Sequence, residues 1–155
     1  MRSSRMLFFA SWIILLVVLG AIALYSLLSL WRAYTAPNDG ISEGYTLNQV
    51  RETGGEAAVK AIRGRRATAS TAAVGFALLA LAVVWVPYRR GERWAWWALL
   101  ISIGLSQLLS LARAPMLPTT SGLGPPAIIL AFALIGLLAG APRMFAHTSD
   151  VIDEE

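Results

Sequence analysis

Histidine, cysteine and paired carboxylates most often carry catalysis or hold metals, and this chain offers few of them. It has no cysteine and one histidine, His147, near the C-terminus. A Ser-His-Asp triad, a metal centre or a haem ligated by imidazole would have to be built on that single ring. Thiol catalysis and disulfides are excluded by composition. Four long apolar runs dominate the sequence, and none contains Asp, Glu, Lys, Arg or His. An ionisable group inside a bilayer is costly and marks a transport path or proton relay. A pump, a proton-coupled carrier or a voltage sensor is therefore not expected, nor is any catalytic residue, metal or cofactor.

Two kinds of polar residue remain. Ser102, Ser106 and Ser110 recur at every fourth position with Gln107 beside them, which puts small hydroxyls on one face of a helix. Gly136 and Gly140 have G-x-x-x-G spacing, preceded by Ala127 and Ala131, and Ala73 with Ala77 repeats the small-residue spacing. Small residues let helix backbones approach, and an amide can bond across helices. These positions are expected at helix-packing contacts, with a hydroxyl-lined path for a small neutral ligand as the alternative. Gln107 is expected to reach a carbonyl or serine on a neighbouring helix, because hydrocarbon offers its amide no partner. The second kind is basic: Lys60, Arg63, Arg65 and Arg66 in one cluster, Arg89, Arg90 and Arg93 in another. Both are candidates for contact with lipid headgroups, or serve as flanking charge at helix ends.

The elements that must position these residues follow from composition. The chain of 155 residues is 57% hydrophobic and 14% charged, with mean hydropathy +0.62. Soluble domains are about 45–50% apolar and about 25% charged. The apolar runs at 6–31, 67–88, 94–112 and 126–141 are long enough to cross a hydrocarbon core of about 30 Å, the last being the shortest. The expected fold is all-α, a four-helix transmembrane bundle. The first run exceeds the ~7–15 residues of a signal-peptide core, and no small-x-small site follows it, so it reads as an uncleaved first span.

Between the first two spans lies a polar loop, 32–66. Thr46 with Gln49 fits a capping box, Tyr45 with Val50 a hydrophobic staple, and Thr53 with Glu56 a second box. Gly54 and Gly55 should break the first short helix. Glu56 and Lys60 have i,i+4 pair spacing, and the second helical piece can run through Gly64 into the membrane. The short connection 87–93 predicts an antiparallel hairpin of the second and third spans. The connection 113–125 is proline-rich and nearly uncharged, and is expected at the interface. The tail, 146–155, is acidic and reads as solvated.

Net charge is +4 and the isoelectric point about 10.1, values that in a soluble protein would raise nucleic-acid binding. Here the cations flank apolar runs and form no stripe that could track a phosphate backbone, so nucleic acid is not an expected partner. With four spans, Arg2, Arg5, Arg89, Arg90, Arg93 and Arg143 share one side. Arg32, Arg51, Lys60, Arg63, Arg65, Arg66 and Arg113 lie on the other. The positive-inside count nearly ties. Arg2 and Arg5 before the first span, and three arginines in a tight turn, tip the expectation to cytoplasmic termini. Trp12, Trp85, Trp94, Trp96 and Trp97 fall near the terminus-bearing side and Trp31 near the other, as interfacial anchors do. Trp94, Trp96 and Trp97 point in different directions, so not all of them can face lipid.

The string Pro87-Tyr88-Arg89-Arg90-Gly91-Glu92-Arg93-Trp94-Ala95-Trp96-Trp97-Ala98-Leu99 resembles a segment of small uncharacterised bacterial four-helix integral membrane proteins. The polar loop and span pattern are similar too, so the resemblance covers about the middle half of the chain. It implies a bacterial inner-membrane protein and carries no activity. Read physically, Gly91 is the apex of a turn, the arginines meet headgroup phosphates, the tryptophans sit at the boundary, and Glu92 pairs with a neighbouring arginine. The functional expectation is a non-enzymatic structural or accessory membrane component. Its partners would be membrane lipids and a protein partner or a second copy. The alternative is a binder or carrier of a lipid or small hydrophobic molecule.

Overall fold

The structure is a computed structural model and describes residues 2–36, 40–42, 45–116 and 124–145. The fold is all-α. Helix α1 spans Arg2–Thr35, α2 Leu47–Val83, α3 Arg93–Met116 and α4 Gly124–Phe145. A π-helical turn, Val84–Tyr88, continues α2. Two very short strands, β1 (Gly40–Ser42) and β2 (Tyr45–Thr46), pair antiparallel ahead of α2. All four helices carry a segment long and apolar enough to cross a membrane. Those segments are only 22–28% buried within the chain. Leu24, Leu79, Ile101 and Leu138 are among the large apolar side chains facing outward. Outer faces of that kind require lipid.

The fourth span, expected to be short, is a full helix of 22 residues. Helix α3 runs on to Met116, so the interfacial connection expected from 113 onward starts later. The segment 117–123, the acidic tail and His147 lie outside the described residues.

The polar loop is mostly helix. Thr46 caps α2 by a complete capping box with Gln49. Gly55, at φ 71° and ψ −179°, breaks the helix where expected, in a conformation that side chains with a Cβ rarely adopt. The second box does not form. Thr53 Oγ1 instead bonds back to the Gln49 carbonyl at 3.0 Å, the local competition open to a hydroxyl inside a helix. Glu56 pairs with Arg51 at 2.6 Å rather than with Lys60. The side chain of Tyr45, half of the expected staple, is outside the described residues. Leu47 to Tyr88 is 42 residues long with a break at Gly55, and the stretch beyond that break alone is about 50 Å at 1.5 Å per residue, well over a hydrocarbon core of about 30 Å. Its first half therefore stands outside the membrane.

Helix α1 is the centre of the bundle. It packs on α2 along one side and on α4 along another, and α4 in turn packs on α3. The expected α2–α3 hairpin is not a packed pair: α3 meets the π turn and scarcely touches α2 itself. The buried stripe of α3, Ala95, Trp96, Leu99 and Ile103, is turned to α4, where the Trp96 indole N–H donates to the Leu137 carbonyl at 2.8 Å. The reversal between α2 and α3 is a Schellman closure. Gly91 N–H bonds to Tyr88 O at 2.9 Å and Glu92 N–H to Pro87 O at 3.1 Å. Gly91, at φ 83°, takes the left-handed position that this closure needs. The Glu92 carboxylate, expected beside an arginine, accepts the Trp94 indole N–H at 2.5 Å.

Both prolines inside helices, Pro87 and Pro142, withdraw a backbone donor within an apolar segment. In each case an indole from another helix bonds a carbonyl near the one that the proline leaves free, though not that carbonyl itself. Trp12 donates to Val84 O at 3.2 Å, as Trp96 does to Leu137 O.

Candidate functional site

The chemistry concentrates where α1, the end of the π turn and the end of α4 meet. Tyr88 is fully buried. Its ring stacks on Phe8, centroids 5.6 Å apart, and its hydroxyl is 2.5 Å from Ser11 Oγ. Gly140 lies against this pair: a Cβ there would collide with Tyr88 Oη and sit 2.7 Å from Ser11 Oγ. Gly136, one turn earlier, is closed more softly, 3.2 Å from Ile14 and Leu15 side-chain carbons. The two glycines of the G-x-x-x-G spacing lie where α4 packs against α1. Ala127 and Ala131 do not share that role and are exposed, whereas Ala77 of α2 is buried.

Beside this node a groove of about 300 Å³ opens, lined by Phe8, Phe9, Trp12, Arg89 and Arg143. The Arg89 guanidinium carbon is 5.5 Å from the Trp12 ring centroid and that of Arg143 is 4.2 Å from Phe8. Both cations therefore lie over aromatic faces, an attraction of roughly 0.5–1 kcal/mol each at exposed sites. Arg90 and Arg93, expected with Arg89, are not in the groove. Arg90 is exposed, and Arg93 Nε donates to Met144 O at 3.0 Å, tying the start of α3 to the end of α4.

A second groove, of about 400 Å³, lies at the opposite end between α1 and α2. It is lined by Ala33, Tyr34, Lys60, Arg63, Gly64, Ala67 and Thr68. Arg63 Nη2 donates to Ala36 O at 2.5 Å, while its buried Nε has no partner among the described residues. Arg66 turns inward instead, Nε to Ser29 Oγ at 3.3 Å, and Ser29 also bonds Ser70 at 3.0 Å. Arg65 is exposed and outside the groove. The cluster therefore divides, with Lys60 and Arg63 at the groove and Arg66 joining α2 to α1.

Among the described residues, the serine ridge of α3 bonds within its own helix. Ser102 bonds to Leu99 O, Ser106 to Ile103 O at 2.9 Å and Ser110 to Ser106 O at 2.9 Å, all within α3. Gln107 Nε2 donates to Ser106 Oγ at 3.2 Å. This corrects the expectation of an interhelical amide bond: the adjacent hydroxyl on the same helix accepts from the amide. All four residues are half-buried and continue the line of Leu99 and Ile103.

Sequence reasoning missed Arg143, Phe8, Ser11 and Tyr88 as one constellation. The available signals were Ser11 as a small hydroxyl within the first apolar run and the i,i+4 spacing of Phe8 with Trp12. Among the described residues no group of three or more His, Asp or Glu side chains could hold a metal. No family model, curated protein or solved structure matches the chain.

Proposed function

We propose that the chain is a non-enzymatic structural or accessory component of a bacterial inner membrane, acting through association with another membrane protein or a second copy. Resemblance to small bacterial four-helix membrane proteins supplies the compartment. Arg89, Arg90 and Arg93 in the tight turn, together with Arg2 and Arg5, support cytoplasmic termini. One observation supports the role most. Inward polar groups are used to join helices: Ser11 with Tyr88, Trp12 with Val84, Ser29 with Ser70, Trp96 with Leu137. Such bonds fix a bundle rather than receive a substrate.

A second reading, a binder of a lipid or small hydrophobic molecule, draws on the groove between α1 and α4. It is about 330 Å³, is lined by Ile13, Ile14, Val17, Val18, Ala21, Ile128, Ile129 and Phe132, and presents no polar surface. Native mass spectrometry after gentle detergent extraction separates the two. The first reading expects a stoichiometric protein partner or homo-oligomer. A monomer carrying only a lipid or small apolar ligand would overturn it in favour of the second.

A further inference from the structure

We propose that Arg89 and Arg143 form a site for a phosphate group at the membrane boundary, held over the aromatic floor of Phe8 and Trp12. The site stands under either role above, since a scaffold and a ligand binder both meet headgroups at this level. Three observations carry it. First, the two guanidinium groups come from separate helices yet line one groove of about 300 Å³. Second, Arg51, Arg63, Arg66 and Arg93 each spend donors on a carboxylate, carbonyl or hydroxyl. Among the described residues, Arg89 and Arg143 are held by ring faces alone, and no described carboxylate lines the groove. A guanidinium has five N–H donors in a planar fork, so two of them on one groove, without an acceptor among the described residues, offer donors suited to a tetrahedral oxyanion. Third, the groove lies level with Trp12, and Trp12 packs on Trp85 at 5.5 Å. Tryptophans sit preferentially among headgroups, where phosphate is the abundant anion.

The volume suits a phosphate with a small substituent, not a whole lipid. The ligand chemistry is therefore a phosphate monoester or diester. Its source is either an anionic phospholipid headgroup or a free phosphate compound. The apposed rings keep both arginines in place, and among the described residues binding displaces no ion pair of either arginine.

The test uses the full chain in nanodiscs of equal phosphatidylcholine and phosphatidylglycerol, with lipid adducts counted by native mass spectrometry. The wild-type chain should retain phosphatidylglycerol in preference to phosphatidylcholine. Arg89→Gln with Arg143→Gln should lower that preference by roughly tenfold, the order expected for losing a charge-assisted hydrogen bond. The same change at Lys60 and Arg63 should leave the adducts of this site in place. Loss of the preference on adding inorganic phosphate, without loss of fold by circular dichroism, would identify the shared phosphate chemistry and a soluble source. Persistence of the preference would identify the lipid. The proposal is overturned if the double glutamine variant keeps the wild-type preference. It is equally overturned if Arg89→Lys with Arg143→Lys matches wild type, since charge alone would then suffice without the planar fork.

Discussion

Replacing Gly140 by alanine is expected to destabilise the bundle by about 1–3 kcal/mol, the usual cost of forcing an extra methyl into a packed interior. The new Cβ would meet Tyr88 Oη and Ser11 Oγ together. A flexible side chain could swing away, but Tyr88 is fully buried, stacked on Phe8 and bonded to Ser11. The better helix propensity of alanine, about 1 kcal/mol over glycine, offsets only part of the clash. Removing the hydroxyl should relieve it. In a Tyr88→Phe background the ring's Cζ carbon lies at 3.2 Å and Ser11 Oγ at 2.7 Å, but the serine hydroxyl, released from Tyr88, can rotate away, so Gly140→Ala should cost less there than in the wild type. Gly20→Ala, where a Cβ would meet nothing within 4 Å, serves as the control and should be neutral or stabilising by up to about 1 kcal/mol. Unfolding by titration with a denaturing detergent in mixed micelles gives the stabilities of the wild type, the two single variants, the double variant and the control, and hence the coupling. Additive costs for Gly140→Ala and Tyr88→Phe would show that the close approach at this node is not real.

Trp96 holds α3 to α4, and Trp96→Ala is expected to cost about 3–5 kcal/mol, the range for truncating a buried tryptophan. The ring is 8% exposed. It makes edge contacts with Trp97 and Phe145 at centroid distances of 4.9 and 5.4 Å. Trp96→Phe keeps most of that packing and loses the bond to the Leu137 carbonyl. Interhelical bonds in membranes average about 0.6 kcal/mol, so the phenylalanine variant should lie much nearer wild type. Because α3 has little contact with α2, the alanine variant should release α3 first. The same titration reads both, and equal losses for the two variants would mean that the indole N–H, not the packing, holds this interface.

The parts of the fold readable from sequence are those decided locally. Four uninterrupted apolar runs gave four helices because hydropathy over about 20 residues acts without reference to any partner. Thr46 with Gln49 and the Gly91 apex were legible because capping and left-handed turns involve neighbours in the chain. The order of packing was not legible. A short connection made α2 and α3 look like a pair, yet Trp96, Leu99 and Ile103 turn α3 to α4, a choice made by tertiary contact alone. Gln107 was misjudged for a related reason. Hydrocarbon does demand a partner for its amide, but Ser106 supplies one on the same helix. At the boundary, arginines were expected as a run, whereas the structure draws only Arg89 from that run and joins it with Arg143 from the far end of the sequence. Tyr88 looked like part of a turn motif, and only the approach of α1 and α4 makes it the centre of a packed node.

The account depends most on the four-span arrangement, and the absence of cysteine from the chain makes that directly measurable. Single cysteines are introduced at Glu56, Arg90 and Gly124, and sealed vesicles are treated with a membrane-impermeant maleimide. Arg90 lies in the turn between α2 and α3, Glu56 in the part of α2 outside the membrane, and Gly124 at the start of α4. Glu56→Cys and Gly124→Cys should label from the same face and Arg90→Cys only from the opposite one. Labelling of Glu56→Cys and Arg90→Cys from one face would contradict the four-span account.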